Sequence, residues 1–381
     1  MINEYRLVEL FKSLCLINAP SLQEADCSAF VKKHLEDMGL EVFEDNAAQQ
    51  MGGNSNNVIA WLRGDLPDAP KIMLSAHLDT VEPTEGLVIE EVDGVFRSAS
   101  DTILGADDKG GMAPIIEAVQ CIKDSGESHG DICMVFTIGE EIGLIGAKAA
   151  PIEDLHLDFG FVLDTGPPVG SFVNRTATHD KMTVVIHGLP AHSGKDPEKG
   201  ISAIQVAADA IHGMKLGRIG PETTANIGII EGGTAVNVVC PKVKIRAEAR
   251  STDVTELDAQ IDHMISKFEE AATKWGARVE IEHDRHYSAY HVPADSQVVQ
   301  VGQRASRTLG FDPVLRTTLG GSDANVYNKR NLPCIVVATG MDKIHTHDEF
   351  ISREDLVKTA ELVVELIRES AKERRFPSSS V

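Results

Sequence analysis

The sequence predicts an α/β fold, a central mixed sheet flanked by helices, with a smaller α+β unit inserted into it. Three observations predict this. Short apolar runs, "NVIAWL", "KIMLSAH", "DICMVFTIG" and "FGFVLDTG", recur with helical patterns between some of them. From about residue 178 to 287 the texture changes to strand, helix, strand, strand, helix, strand. From about residue 288 the first texture resumes. The chain therefore divides into a larger domain, 1–177 with 288–381, and an insertion, 178–287.

Taken in order, "MINEYRLVELFKSLCLINAP" sets apolar residues at helical spacing among Glu4, Arg6, Glu9 and Lys12. Ser21 and Glu24 in "SLQE" have the spacing of a capping box, opening a helix through "ADCSAFVKKHLEDM" that stops at Gly39. The strand "LEVFED" follows, then the apolar runs, with helical patterns in "DKGGMAPIIEAVQCIKDS" and "GLIGAKAA". In the insertion, "KMTVVIHG", "TANIGIIEGG", "VKIRAEARS" and "RVEIEHDRHY" form four antiparallel strands. The helices "GISAIQVAADAIHGM" and "VTELDAQIDHMISKFEEAATKWG" cover one face of that sheet. The last part supplies the helix "SQVVQVGQRASRTLG", the strand "PCIVVATG" and a helix through "DLVKTAELVVELIRESA". The tail "RRFPSSSV" is expected to fray. No repeat or low-complexity segment interrupts the pattern.

At 381 residues, two domains are the default expectation. The 58 acidic against 36 basic residues, a net charge of −22, argue against nucleic acid and anionic membrane as partners. Six cysteines, Cys15, Cys27, Cys121, Cys133, Cys240 and Cys334, are scattered with no CxxC pair, which suits a reducing compartment. The charged N-terminus is not a signal peptide, and no apolar run approaches the ~20 residues of a membrane span. A cytoplasmic location is expected by elimination.

Acidic and histidine residues close the apolar strands. "KIMLSAHLDT" ends in His77 and Asp79, which lie on one face of an extended chain. "LGADDKGG" places Asp107 and Asp108 before a helix, "FTIGEEIG" brings Glu140 and Glu141, "FVLDTG" brings Asp164, and "ATGMDKIHTHDEF" offers His345 and His347. Groups at the carboxyl ends of strands in an open α/β sheet converge on one crevice. Imidazoles and carboxylates without thiolates suit zinc, cobalt or manganese. Two histidines with Asp107, Glu141 and Asp164 are enough for two metals if one carboxylate bridges. Asp79 would then hold the His77 ring, and Glu140, free of metal, would take the proton from water. Alone, each motif reads as a helix cap, a turn or a surface histidine. Their order along the chain makes the joint coincidence improbable.

The set "SAHLDT", "GADDKGG", "FTIGEEIGLIGA", "VLDTG", "PAHSG" and "HTHDEF" resembles the dinuclear zinc exopeptidases and amidohydrolases, a superfamily that includes peptidase T, glutamate carboxypeptidase, aminoacylase and succinyl-diaminopimelate desuccinylase. The resemblance covers essentially the whole chain. "GADDKGG" and the spacing of His345 to Glu349 are closest to the peptidase T-like branch. It implies a zinc-exopeptidase-like fold with two Zn2+ per chain, Co2+ or Mn2+ being possible substitutes. One metal would be held by His77, Asp107 and Asp164, the other by Asp107, Glu141 and His345, with Asp107 bridging. Glu140 matches the general base, and Asp108 would support the helix start.

The resemblance further implies that His192, in the inserted lid, stabilises an oxyanion in its own or a partner's site. Asn237 and Arg250 are candidate substrate contacts, and Gly320 and Gly321 would allow a close backbone approach. A homodimer through the lid and a short peptide substrate cut at its N-terminal bond are implied as well. Leu319 stands where tripeptidases of this type carry an arginine, so strict tripeptide specificity does not follow. The alternatives are a carboxypeptidase or N-acyl amino acid deacylase with the same metals, and a non-catalytic metal or peptide binder. Retention of Glu140 argues against the binder.

Overall fold

The computed structural model describes residues 1–375; residues 376–381, within the tail expected to fray, lie outside the described residues. The chain separates into two compact units, one of residues 1–174, 291–317 and 322–381, the other of 175–290 and 318–321.

The first unit is built on an eight-stranded mixed sheet. Its order is Glu41–Glu44, Val58–Leu62, Ile132–Thr137, Ile72–His77, Phe159–Val162, Cys334–Val337, Phe172–Arg175, Leu315–Thr317. The strands Ile132–Thr137, Ile72–His77, Phe159–Val162 and Cys334–Val337 run parallel, and every residue in them is buried. Burial on both faces explains why they read as continuous apolar runs instead of alternating ones. Helix Ala106–Ser125 packs on Ile72–His77 and against Glu4–Cys15 and Arg353–Ala371. A small sheet of Ile89–Val92, Val95–Ser98 and Phe350–Ser352 has no counterpart in the sequence reading, because strands of three or four residues show no resolvable period.

The second unit is a five-stranded antiparallel sheet in the order Gly217–Gly220, Thr223–Gly232, Lys242–Ser251, Thr178–His187, Arg278–Tyr287. The extra strand, Gly217–Gly220, is too short and glycine-rich to announce itself. Helices Ala203–His212 and Val254–Trp275 bury Val206, Ile261, Met264 and Phe268 against Val184, Ile186, Val243 and Ile245. Asp253 caps the longer helix through the N–H groups of Thr255 (2.7 Å) and Glu256 (3.3 Å), and Gly276, at φ +71°, ends it.

Two local expectations are corrected. Ser21 and Glu24 do not form a capping box: helix Ala25–Asp37 starts without a side-chain cap. Ser21 Oγ donates to Asp79 Oδ2 at 2.6 Å, and the buried Glu24 accepts the N–H of Gly139 at 2.9 Å. Long-range acceptors and donors have won over the local pair. The tail is also anchored at its start, where the Arg375 N–H donates to Asp68 O and its guanidinium pairs with Asp158 at 2.9 Å.

Candidate active site

The parallel strands of the first unit deliver the acidic and histidine residues to one edge. His77 is the last residue of its strand, Asp164 follows Val162 by two positions, and Glu140 and Glu141 follow Thr137. Asp107 lies in the first turn of helix Ala106–Ser125, at a kink where its backbone angles (φ −83°, ψ 102°) are not helical. The Asp107–Asp108 peptide is cis.

Asp107 lies between two imidazoles. Its Oδ1 is 3.1 Å from His77 Nε2, and its Oδ2 is 3.2 Å from His345 Nε2. His345 Nε2 is also 3.0 Å from Glu141 Oε1. In three groups, His77–Asp107–Asp164, His77–Glu140–Glu141 and Asp107–Glu141–His345, ligand-type atoms lie within 4.8 Å of one another. Asp107 thus belongs to two of these groups and faces their imidazoles, His77 and His345, through different oxygens.

Charge in the cluster is one-sided. Burial pushes the Glu140 carboxyl well above its usual range, and the negative charges of Asp323, Glu141 and Asp79 add to this against the opposing pull of His77. Burial does the same to Asp164, reinforced by Asp107 and Glu140. Burial alone would lower His77, but hydrogen bonds with Asp107 and Asp79 outweigh it and hold the imidazole well above its normal value. His345 is pushed up to about 10 by Asp107 and Glu141. Carboxylates that turn toward each other and draw protons onto themselves or onto adjacent imidazoles are a donor set suited to divalent cations, and the oxygen and nitrogen donors fit zinc, cobalt or manganese.

Asp79 does more than face His77. Its Oδ1 is 3.3 Å from His77 Nδ1 and accepts the Glu140 N–H at 3.0 Å, while Oδ2 accepts the Glu141 N–H at 3.2 Å and the Ser21 hydroxyl. His77 Nδ1 also lies 3.1 Å from the Asp79 carbonyl. Asp108 does not cap the helix; its Oδ2 accepts the His77 N–H at 3.2 Å.

Several contributors escaped the sequence reading. Glu349 marks only a spacing in the sequence; it is buried, accepts the N–H groups of Asp107 (2.9 Å) and Gly105 (2.7 Å), and is pushed by burial up to about 7. Lys109 is fully buried and donates to the carbonyl of Leu78, between His77 and Asp79. Asp323 accepts from Thr137 through Oδ2, leaves Oδ1 without a partner, and is pushed by burial up to about 6. Only the "DDK" and "GGSD" contexts hint at these two.

In the second unit, His192 is exposed, and its Nδ1 accepts the Gly194 N–H at 3.1 Å. A neutral imidazole so held carries its proton on Nε2. The exposed Asn237 sits beside it, its carbonyl accepting the Ser193 N–H. Arg250 pairs with Glu248 (3.0 Å) and donates to the Leu319 carbonyl (3.2 Å). The close approach at Gly321 is to Tyr287: a Cβ there would meet its Cζ at 2.2 Å. A Cβ at Gly320 would meet Thr318 Oγ1 at 3.4 Å. His179, which carried no usable signal, is buried with Nε2 at 2.9 Å from Glu248 and packs edge-on to Tyr287.

Residues 73–369 match the profile of Peptidase family M20/M25/M40. The chain belongs to this peptidase family. As an M20 metallopeptidase it is similar to the aminopeptidase PepT of Bacillus cereus, at 41% identity over 97% of this chain and 100% of that one, with a TM-score of 0.88. It is similar to a tripeptidase of Staphylococcus aureus, at 36% identity over 98% and 100% of the two chains, with a TM-score of 0.92. YqjE of Bacillus subtilis is 41% identical over 98% of this chain and its own full length. Ser21, Glu24 and Asn57, which contact the site's loops, lie before the matched segment of the M20 profile.

Proposed function

We propose that the protein is a two-metal exopeptidase that removes the N-terminal residue of short peptides. The observation that carries this is the division of the Asp107 carboxylate between two imidazole-containing groups, an arrangement suited to bridging two cations. His77, Asp107 and Asp164 would hold one metal, and Asp107, Glu141 and His345 the other. Bound there, two zinc ions would supply Lewis acidity toward the scissile carbonyl and lower the pKa of water.

The remaining chemistry falls to the chain. Glu140 is surplus to both ligand sets, and burial raises its proton affinity, which suits a group that takes a proton from the attacking water and returns it to the leaving amine. Asp79 keeps His77 and the Glu140–Glu141 backbone in register. The His192 Nε2–H would donate to the developing oxyanion, in its own chain or across a dimer. Dimerisation is supported by strand Thr223–Gly232, whose pairing with Gly217–Gly220 ends at Ala225 and whose Ile229 (42%) and Ile230 (54%) are exposed. Among the described residues no helix is long and apolar enough to cross a membrane, and all six cysteines are free and buried, which fits the expected cytoplasmic setting.

The names of the similar aminopeptidase and tripeptidase support N-terminal cleavage over the deacylase alternative. The test offers zinc- and cobalt-loaded protein a panel of dipeptides, tripeptides, N-blocked peptides and N-acyl amino acids. Release of the free N-terminal residue, abolished by a chelator, is expected; turnover of only the blocked or acylated compounds would replace this reading by the deacylase or carboxypeptidase one.

A further inference from the structure

Four consecutive backbone N–H groups in the Glu140–Glu141 loop end on side-chain oxygens. Ile138 N donates to Asn57 Oδ1 (2.9 Å), Gly139 N to Glu24 Oε1 (2.9 Å), Glu140 N to Asp79 Oδ1 (3.0 Å) and Glu141 N to Asp79 Oδ2 (3.2 Å). Glu24 comes from the start of helix Ala25–Asp37, 115 residues away from Gly139 in sequence, and is completely buried. The same Oε1 accepts the N–H of Leu22 at 2.9 Å, in a turn where Leu22 adopts φ +70°. Ser21, in that turn, donates to Asp79. The helix-entry turn is therefore tied at two points to the segments bearing the proposed base and its neighbour.

The loop it holds has little room. Gly139 adopts φ +57°, and a Cβ there would meet Ile145 Cγ1 at 2.4 Å. Its carbonyl accepts from Ile145 N, and that of Glu140 accepts from Gly143 N and Leu144 N. With these carbonyls committed, the direction of the Glu140 side chain depends on where the Gly139 and Glu140 amides are pinned.

From this we infer that Glu24 is a positioning residue for catalysis: as a buried acceptor for the Gly139 N–H, it sets the placement of the Glu140 carboxylate. The role rests on the proposed function of Glu140, and it belongs to the oxygen's position and not to its charge. Glu24→Gln keeps an acceptor in place, Glu24→Asp withdraws it by one methylene, and Glu24→Ala removes it. Small misplacements of a reacting group cost up to roughly 10²-fold in rate. Glu24→Ala and Glu24→Asp are therefore expected to lower kcat on a short peptide by roughly 10- to 10²-fold, with KM changed less than about threefold and two metals retained. Glu24→Gln should stay within about threefold of the parent.

Hydrogen–deuterium exchange of the segment 134–143 in the metal-loaded full-length chain gives a second readout, independent of turnover. Exchange there should accelerate in Glu24→Asp and Glu24→Ala and return to the parental rate in Glu24→Gln. A Glu24→Gln variant as slow as Glu24→Ala, an unaffected kcat in Glu24→Asp, or unchanged exchange in that segment would overturn the inference. If the parental protein cleaved no peptide, the proposed function would fall, while the exchange comparison would still decide whether Glu24 holds the loop.

Discussion

Replacing Asp79 by asparagine separates two ways in which this carboxylate could matter. In the native protein its oxygens face His77 Nδ1 and accept the N–H groups of Glu140 and Glu141 and the Ser21 hydroxyl. Asparagine keeps one acceptor and turns the other into a donor. His77 retains the Asp79 backbone carbonyl at 3.1 Å, so its ring has an alternative acceptor in the variant. The Glu140 and Glu141 amides have no such substitute, and one of them must face an NH2 group. A buried donor left unpaired costs about 1–3 kcal/mol, which is the expected loss of stability. Because that amide sits at the proposed base, kcat should fall by roughly 10- to 10²-fold with both metals kept. Metal content by elemental analysis, kcat on a short peptide and denaturant unfolding of the same preparation provide the assay. Loss of a metal with unchanged kcat after metal is restored would refute the reasoning, because the effect would then run through His77 alone.

Other outcomes follow from the same geometry. Asp107→Ala removes the oxygens that both imidazoles face, so both metals should be lost together; full two-metal occupancy would sink the bridging assignment. His192→Ala should lower kcat by roughly 10²–10³-fold without changing metal content, the loss usual for one oxyanion donor. If His192 acts across a dimer, mixing His192→Ala with Glu140→Gln chains restores some activity; a verified mixed dimer without recovery excludes that arrangement. If two chains pair through Thr223–Gly232 as proposed, Ile230→Lys places a charge on that strand and should shift sedimentation toward the monomer. In the second unit, the His179 imidazole 2.9 Å away, aided by Arg250, holds Glu248 down from its ordinary 4.5 to about 2 against burial. A depressed folded-state pKa stabilises above about 4.5, and that contribution is lost as pH falls toward 2. Glu248→Gln should flatten this part of an acid-unfolding profile, and an unchanged slope would remove Glu248 from the account.

The sequence exposed what depends on local pattern. Fully buried parallel strands leave apolar runs, and the residues that end them, His77, Glu140, Glu141 and Asp164, are conspicuous because charge there is unusual. The groups that hold them were hidden. Glu24 and Ser21 imitate a capping box that helix Ala25–Asp37 does not use, and their true partners, Gly139 and Asp79, are 115 and 58 positions away. Glu349 was visible as a spacing, but nothing in a spacing says that its oxygens take the N–H groups of Gly105 and Asp107. Lys109 sits in a motif conspicuous for its aspartates, and its buried ammonium donates to the Leu78 carbonyl just past the end of strand Ile72–His77. Such contacts come from tertiary closure, which leaves no periodic mark on the chain.

The central claim is that the two adjacent glutamates divide the work, one binding metal and the other moving protons. Glu140→Gln and Glu141→Gln, each assayed for metal content and turnover in parallel, test it most directly. Glu140→Gln should retain two metals while turnover drops by roughly 10²–10⁴-fold, as for a lost general base. Glu141→Gln should weaken one metal, with activity recovering as metal is added. The same metal content and the same turnover in both variants would contradict the division of roles.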